Sequence, residues 1–294
     1  MNVGVALPSR GPQASPENLA TVARWAEELG YDSVWVSDRA ILPEQVDSWY
    51  PYEADHRWQY PADIPWMDPL LALGWAAAAT SRVKLGTAVL VAPLRHPVLL
   101  AKQVATLDYL SGGRIILGLG VGWMKEEFDL VEAAFTQRGK RAAEMVALMR
   151  ALWGGETVDF EGDFFQVRGC QMHPAPAQSS IPIVWGGHSE AALRRVAQVG
   201  DGWLPLLLSF DDLTSRLKKL TDFCREYDRD PSSLRVIVAP EDAHPVSAET
   251  LERYQTLGIR HLLIRPPWSG TDLTDCRHEM ERTADICGLQ GQNA

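Results

Sequence analysis

The sequence predicts an α/β fold, and within that class a (β/α)8 TIM barrel. Strand-like and helix-like segments alternate along the chain, which favours a parallel sheet covered by helices. The alternation reaches eight strand–helix units, the number that closes such a sheet on itself. The clearest unit lies around Gly86–Phe128, where Lys84–Val91 reads as a strand, Pro97–Leu110 as a helix and Arg114–Leu119 as a second strand. Pro97 suits a first helical turn, where a missing N–H costs nothing. Ser111-Gly112-Gly113 ends the helix because glycine enters left-handed conformations without a Cβ penalty. Strands joined through such a crossover run parallel. A doubly wound open sheet is the alternative, since alternation alone does not show closure. All 294 residues fit one barrel domain, 1–294, with insertions at about 40–67 and 154–180.

Val3–Leu7 is the first strand and ends at Pro8-Ser9. Ser15 is the expected N-cap of a helix with Pro16 in its first turn and Leu19, Val22, Ala23, Ala26 and Leu29 on one stripe. Ser33–Ser37 is the second strand, with Asp38-Arg39 just beyond its end. The segment 40–67 is irregular and rich in Trp, Tyr and Pro, and long structureless segments inside compact domains are usually functional. Asp68-Pro69 caps a helix to about Thr80. After the unit at 84–119, glycines stand at Gly118, Gly120 and Gly122.

Arg138–Trp153 reads as a helix with Ala142, Met145, Met149 and Leu152 inward. Thr157–Phe160 and Phe164–Val167 flank Glu161-Gly162-Asp163 and predict a small hairpin outside the repeat. Pro182–Trp185 is a fifth strand, leading through Gly186-Gly187-His188-Ser189 into a helix that ends at Val199. Gly202–Leu204, Leu234–Ala239 and His261–Ile264 complete the strands. Their helices are expected at Asp211–Tyr227, near Ala248–Leu257 and near Thr271–Ile286.

A formal net charge of −10 argues against nucleic acid or an anionic membrane as the main partner. A small molecule is the expected partner. No secretory signal is visible, and the longest apolar run, near Leu70–Ala79, is too short to span a bilayer. Cys170, Cys224, Cys276 and Cys287 have no C-x-x-C spacing and read as free thiols of a cytoplasmic protein.

In a barrel the working residues follow the C-terminal ends of strands. The candidates are Pro8-Ser9, Asp38-Arg39, Ala88–Pro93, Gly118–Trp123, Gly186–Ser189, Leu204-Pro205, Pro240–Asp242 and Arg265–Trp268. They hold no H-x-H pair, and the chain has no H-E-x-x-H helix, so no metal site is expected. No G-x-S-x-G elbow is present, and Gly118-x-Gly120-x-Gly122 lacks the dinucleotide-binding spacing. Gly186-Gly187-His188-Ser189 before a helix is built like a phosphate site, and reads equally as a tight turn with Ser189 as N-cap. Asp38 and Arg39 are either catalytic or an ion pair on the rim. Glu126-Glu127 reads as a solvated helix start, and His96 as a local structural group. The aromatic segment is either a lid or the wall of a pocket for a flat ring, and the wall is favoured.

These residues resemble the bacterial luciferase-like flavin and deazaflavin oxidoreductases, most closely the coenzyme F420-dependent type. The resemblance covers nearly the whole chain. It is carried by Gly86-Thr87-Ala88-Val89-Leu90, Arg95-His96-Pro97, Leu110-Ser111-Gly112-Gly113-Arg114, Gly118–Trp123 with Glu127-Phe128, and Gly186-Gly187 with Asp201-Gly202-Trp203. It implies a TIM barrel with luciferase-like insertions, holding F420 or reduced FMN at its C-terminal mouth. Asp38 and Arg39 would be catalytic, and Ala88-Val89 matches the position of a non-proline cis peptide that serves as a shelf behind the ring. Gly186, Gly187, His188 and Ser189 would hold the phosphate tail, with Gly120, Val121 and Gly122 beside it. Trp49, Tyr50, Tyr52, Trp66 and Trp268 would line the substrate pocket. Family members often pair as homodimers.

Three departures refine the expectation. Many relatives carry a proton-carrying histidine where this chain has Arg39; a guanidinium stays protonated and instead stabilises an oxyanion or a peroxide. Val121 replaces the phosphate-binding arginine of luciferase. Trp123 replaces the glutamate of the sugar-phosphate dehydrogenase branch. The resulting reading is hydride transfer between F420 and a small organic substrate. Its alternatives are a monooxygenase using FMNH2 and O2 from a separate reductase, and a flavin-binding barrel without catalysis.

Overall fold

The computed structural model describes residues 1–53, 55–240, 246–268 and 272–291. The first half runs β1 (Asn2–Ala6), α1 (Pro16–Glu28), β2 (Ser33–Val36), α2 (Pro69–Ala79), β3 (Lys84–Thr87), β4 (Leu90–Val91), α3 (Pro97–Ser111), β5 (Ile115–Gly120), α4 (Lys125–Leu130) and α5 (Arg138–Trp153). A hairpin of β6 (Val158–Glu161) and β7 (Gln166–Cys170) follows. The second half runs β8 (Ile183–Gly186), α6 (Glu190–Val199), β9 (Gly202–Leu204), β10 (Leu206–Leu208), α7 (Phe210–Glu226), β11 (Arg235–Pro240), α8 (Ala248–Thr256), β12 (His261–Ile264) and α9 (Thr274–Cys287).

The barrel is closed. Going round it, β1, β2, β3, β5, β8, β9, β11 and β12 pair in parallel, and β12 pairs with β1 again. Closure excludes the open doubly wound sheet. Alternation along each strand sends one set of side chains into the barrel and the other toward the helices. Trp35, Ile116, Val184, Leu204, Ile237 and Leu263 fill the interior. Trp35 is accommodated because its neighbours on β1 and β3 are Gly4 and Gly86, where any Cβ would overlap the indole. Its Nε1–H donates to Ser33 Oγ at 2.9 Å. Outside the barrel Val34, Leu85, Ile115 and Leu117 join the buried faces of the helices in one continuous core.

The predicted caps hold their helices: Ser15 accepts from Asn18 N–H at 3.1 Å and Asp68 from Leu70 and Leu71 N–H at 3.0 and 3.1 Å. His96, expected as a local structural group, is the N-cap of α3, its Nδ1 accepting from Val98 N–H at 3.3 Å. Gly112 takes φ +70° at the end of α3.

Three expectations change. The strand expected over Lys84–Val91 is split into β3, which pairs with β2, and β4, which pairs with β5; the Ala88–Val89 peptide between them is cis. The second hairpin strand begins at Gln166 rather than Phe164, because the Glu144 carboxylate accepts from the N–H groups of Asp163, Phe164 and Phe165 at 2.9, 2.8 and 2.8 Å. These bonds hold that stretch as a turn. The final helix begins at Thr274; Thr271, where it was expected, lies outside the described residues, as do Glu241 and Asp242 of the loop after β11. Among the described residues no helix is long and apolar enough to cross a membrane.

Candidate active site

The C-terminal strand ends carry the mouth of the barrel. Its uppermost inward positions are small: Ala88, Gly120, Gly186 and Ala239 leave the barrel open above the layer that contains Val184 and Ile237. Val89 projects into this space. A Cβ on Gly120 would lie 2.6 Å from Val89 Cγ2, and one on Gly186 would lie 3.1 Å from Val89 Cγ1. The two glycines expected to touch a cofactor therefore first make room for Val89. Gly122, at φ +77°, packs against Phe128 and Val91, so its freedom shapes the loop.

Asp38 and Arg39 do not pair with each other. The Asp38 side chain is fully buried and accepts from Arg95 Nη1 at 2.6 Å, Arg95 Nη2 at 2.9 Å and Val91 N–H at 2.8 Å. Both of its oxygens are engaged within the fold. It fixes the segment after β4 to the end of β2. Asp68 Oδ2, 3.5 Å from Arg95 Nη2, adds a second carboxylate, and this partnership raises Arg95 above its ordinary value against the opposing effect of burial.

Arg39 faces the mouth. Its Nη1 lies 3.4 Å from Glu127 Oε2, with the two side chains 9% and 1% exposed. Its guanidinium carbon sits 5.0 Å from the Trp58 ring, 5.1 Å from Trp123 and 5.8 Å from Trp66. Three aromatic faces thus share one desolvated cation. Its buried Nε has no hydrogen-bond partner among the described residues. Glu127 Oε1 also accepts from Ala40 N–H at 2.7 Å, while Glu126 Oε1 accepts from Asp47 and Ser48 N–H at 2.8 and 2.9 Å. The solvated helix start expected at Glu126-Glu127 is instead a clamp on the aromatic segment. Burial pushes the Glu127 carboxyl up, with Arg39 opposing it.

The aromatic segment roofs the mouth. Tyr50 meets Trp58, Trp123 and Tyr52 at 5.3, 4.8 and 5.5 Å between ring centroids, and Trp58 meets Tyr60 at 4.8 Å. Burial pushes the Tyr50 phenol up to about 12. Tyr52 reaches across to His188, 5.8 Å away. Trp66 joins Trp58 and Tyr60. Trp49 is a correction: it is 62% exposed and stacks on His56 at 4.1 Å, away from the pocket. Glu126 holds Asp47 and Ser48 just before it, and Tyr50 N–H bonds to His56 O, so the chain turns Trp49 outward. Trp268 is half-buried against the main core and makes no ring contact with the roof among the described residues.

Across the mouth, Gly187 takes φ +96° and its carbonyl accepts from Trp203 Nε1–H at 2.9 Å. Ser189 is the exposed N-cap of α6, accepting from Ala192 N–H at 3.2 Å. His188 Nε2 accepts from Leu206 N–H at 3.3 Å; burial and the charge of Arg216 push its imidazole down to about 4. Val121 is half-buried against the main core. Arg138 donates to Gly122 O at 3.0 Å and Arg195 to Gly139 O at 3.3 Å. Neither pairs with a carboxylate among the described residues, and burial lowers both, Arg195 further through the charge of Arg138. The sequence reading missed this pair.

No three His, Cys, Asp or Glu side chains group as metal ligands among the described residues. A cleft lined by Glu27, Tyr31, Asp32 and Lys84 opens at the opposite end of the strands, away from these groups.

Fold and mouth together define an α/β-barrel protein whose candidate site lies on the C-terminal face. The luciferase-like monooxygenase family model matches residues 1–283. An uncharacterised protein of Mycobacterium tuberculosis is 34% identical over 248 residues, 83% of each chain. The F420-dependent glucose-6-phosphate dehydrogenase of Nakamurella multipartita is 36% identical over 195 residues, 65% of this chain and 52% of that enzyme. In fold, the coenzyme F420-dependent tetrahydromethanopterin reductase of Methanopyrus kandleri superposes with a TM-score of 0.77 at 17% identity, over 98% of this chain and 99% of that one. The chain belongs to the luciferase-like monooxygenase family, and it is an oxidoreductase of that family.

Proposed function

We propose that this protein transfers hydride between coenzyme F420 and a small organic substrate held under the aromatic roof. The observation that carries the reading is the Val89 shelf, standing between Gly120 and Gly186 and facing a mouth in which the Arg39 Nε is buried without an acceptor among the described residues. A planar, electron-rich ring fits that combination: small residues beneath it, and one fixed cation beside it. The N–H groups of Arg138 and Arg195 beyond Gly122 and Gly139 fit an anionic tail. F420, when bound, supplies a ring carbon that accepts or releases hydride.

The residues that would hold the ring are Ala88, Val89, Gly120, Gly186 and Arg39. Gly187, His188, Ser189, Val121, Gly122, Arg138 and Arg195 would hold the tail. Arg39 is not a base; its charge stabilises negative charge on the ring or the substrate. Tyr50 keeps its phenolic proton and can donate a hydrogen bond into the pocket. The roof excludes water, which strengthens both interactions.

A second reading, a monooxygenase supplied with reduced FMN by a separate reductase, is favoured by Arg39, which stabilises developing negative charge. Turnover of candidate substrates with and without O2 separates the two. Turnover with F420 under anaerobic conditions supports the first reading, and an absolute requirement for O2 supports the second. Binding without any turnover would return the protein to the non-catalytic class, against which the roof over the mouth already counts.

We also assign the exposed Leu71 and Trp75 of α2, with Leu99 and Leu110 on one face of the adjacent α3, to contact with a second copy of this chain. Sedimentation velocity tests that homodimer: a Leu71→Glu, Leu110→Glu variant is expected to sediment as a monomer.

A further inference from the structure

Three arginines follow three adjacent strands of the barrel. β12, β1 and β2 pair side by side, and Arg265, Arg10 and Arg39 stand just past their ends. Arg39 is answered by Glu127. Arg10 and Arg265 form no ion pair among the described residues, in a chain whose formal net charge is −10.

Arg10 is nevertheless held in place. Its guanidinium carbon lies 5.0 Å from the Tyr60 ring centroid and 4.8 Å from that of Trp66. The backbone on either side is pinned, with Gly11 N–H donating to Pro65 O and Met67 N–H to Ser9 O, each at 2.9 Å. Ring faces fix a cation without using its N–H groups. None of those groups makes a hydrogen bond among the described residues. Arg265 is half-buried and donates one hydrogen bond, from Nη2 to Pro240 O at 3.2 Å. Burial lowers Arg265 from its ordinary value, and the charge of Arg10, which follows the paired strand β1, adds to the effect.

Two like charges on one wall, one of them fixed by stacking and neither paired with a carboxylate among the described residues, favour an anion that joins them. A guanidinium presents its N–H groups as a planar fork that matches a carboxylate. The rings of Trp58, Trp66 and Tyr60 pack beside them, Trp58 and Trp66 inclined by 28° and Tyr60 turned edge-on to Trp66 at 77°. Around the barrel, the β12–β1 wall lies opposite β5 and β8, whose Gly120 and Gly186 flank Val89.

We propose that the substrate is a small carboxylate, its anionic end held by Arg10 and Arg265 and its body extending from them across the mouth toward Val89. This names the substrate class of the site proposed above and rests on that reading for the reaction, though not for the binding. A carboxylate held on the β12–β1 wall leaves the rest of the body to extend across the mouth. A neutral analogue leaves both guanidiniums unanswered.

The test is isothermal titration calorimetry of the full chain, without cofactor, against cinnamate and its neutral isostere cinnamamide. Cinnamate is expected to bind at least about tenfold more tightly, the scale of a charge-assisted hydrogen bond in a partly buried site. Arg10→Gln and Arg265→Gln should each shrink that preference, and the double variant should abolish it; Arg10→Lys, which keeps the charge, should retain part of it. Thermal melting checks that the variants fold, and the wild-type comparison needs no variant. Equal affinities, no cinnamate binding, or a preference that survives the double variant overturns the proposal. F420 titration of the same proteins keeps the two readings apart. If the wild type fails to bind F420, the proposed reaction fails and the carboxylate preference still stands or falls by itself.

Discussion

Asp38 accepts from both arms of Arg95, at 2.6 and 2.9 Å, and so locks the end of β2 to the segment that follows β4. The same carboxylate takes Val91 N–H at 2.8 Å. One buried side chain thereby sets the position of both partners of the Ala88–Val89 shelf. Removing it leaves the mostly buried Arg95 with Asp68 alone, so Asp38→Ala is expected to cost about 3 kcal/mol in urea unfolding, the scale of breaking a buried pair. Full stability with lost turnover would instead assign Asp38 a chemical role.

Glu127 gives the protein a pH-dependent stability of definite sign. Burial raises its carboxyl above the ordinary 4.5, against the pull of Arg39. A raised folded value means that its contribution is complete below 4.5 and is lost as pH climbs through the raised value. The stability of the wild type relative to Glu127→Gln should therefore fall across that rising window. Paired denaturant titrations measure it, and a flat difference contradicts the account.

Val89 and Gly120 should behave as one unit. A Cβ at Gly120 would press Val89 Cγ2 at 2.6 Å. Gly120→Ala is expected to cost about 1–3 kcal/mol through overpacking and to weaken cofactor binding. Trimming the opposing side chain in Gly120→Ala, Val89→Ala should return about 1 kcal/mol as a coupling energy. Additive losses would mean that the two do not touch.

His188 should titrate near 4 in the free protein, since burial and then Arg216 disfavour its cation. Its share of stability is present above 6.5 and is lost as pH falls from there toward 4. NMR of the imidazole checks the midpoint. An anion at Gly187–Ser189 would favour the cation, so the midpoint should rise when cofactor binds; an unchanged midpoint argues against a tail beside His188.

The barrel was legible because each of its units is short and locally signalled. A Pro or Ser cap, an apolar stripe and a glycine stop recur, and the expected barrel strands fall within one residue of the observed ones apart from the break at Ala88–Val89, whereas the second hairpin strand lies two to three residues later than expected. The site was less legible because barrel closure assembles it from distant positions. Arg39 and Glu127 are 88 residues apart, and nothing near Glu127 tells a buried partner from a solvated helix start. Arg10 and Arg265 become neighbours only through the pairing of β1 with β12. Trp49 and Tyr50 look alike in sequence and part company because Glu126 fixes the backbone just before them.

The central claim is that a flavin-like ring binds at the Val89 shelf and that F420 is the one used. Titration of the purified protein with F420, reduced FMN and oxidised FMN tests it most directly. F420 should bind at least about tenfold more tightly than either form of FMN, and Val89→Asp, which sets a charge on the shelf, should abolish that binding. Tight FMN binding with weak F420 binding would contradict the choice of cofactor, and wild-type F420 affinity in Val89→Asp would contradict the site itself.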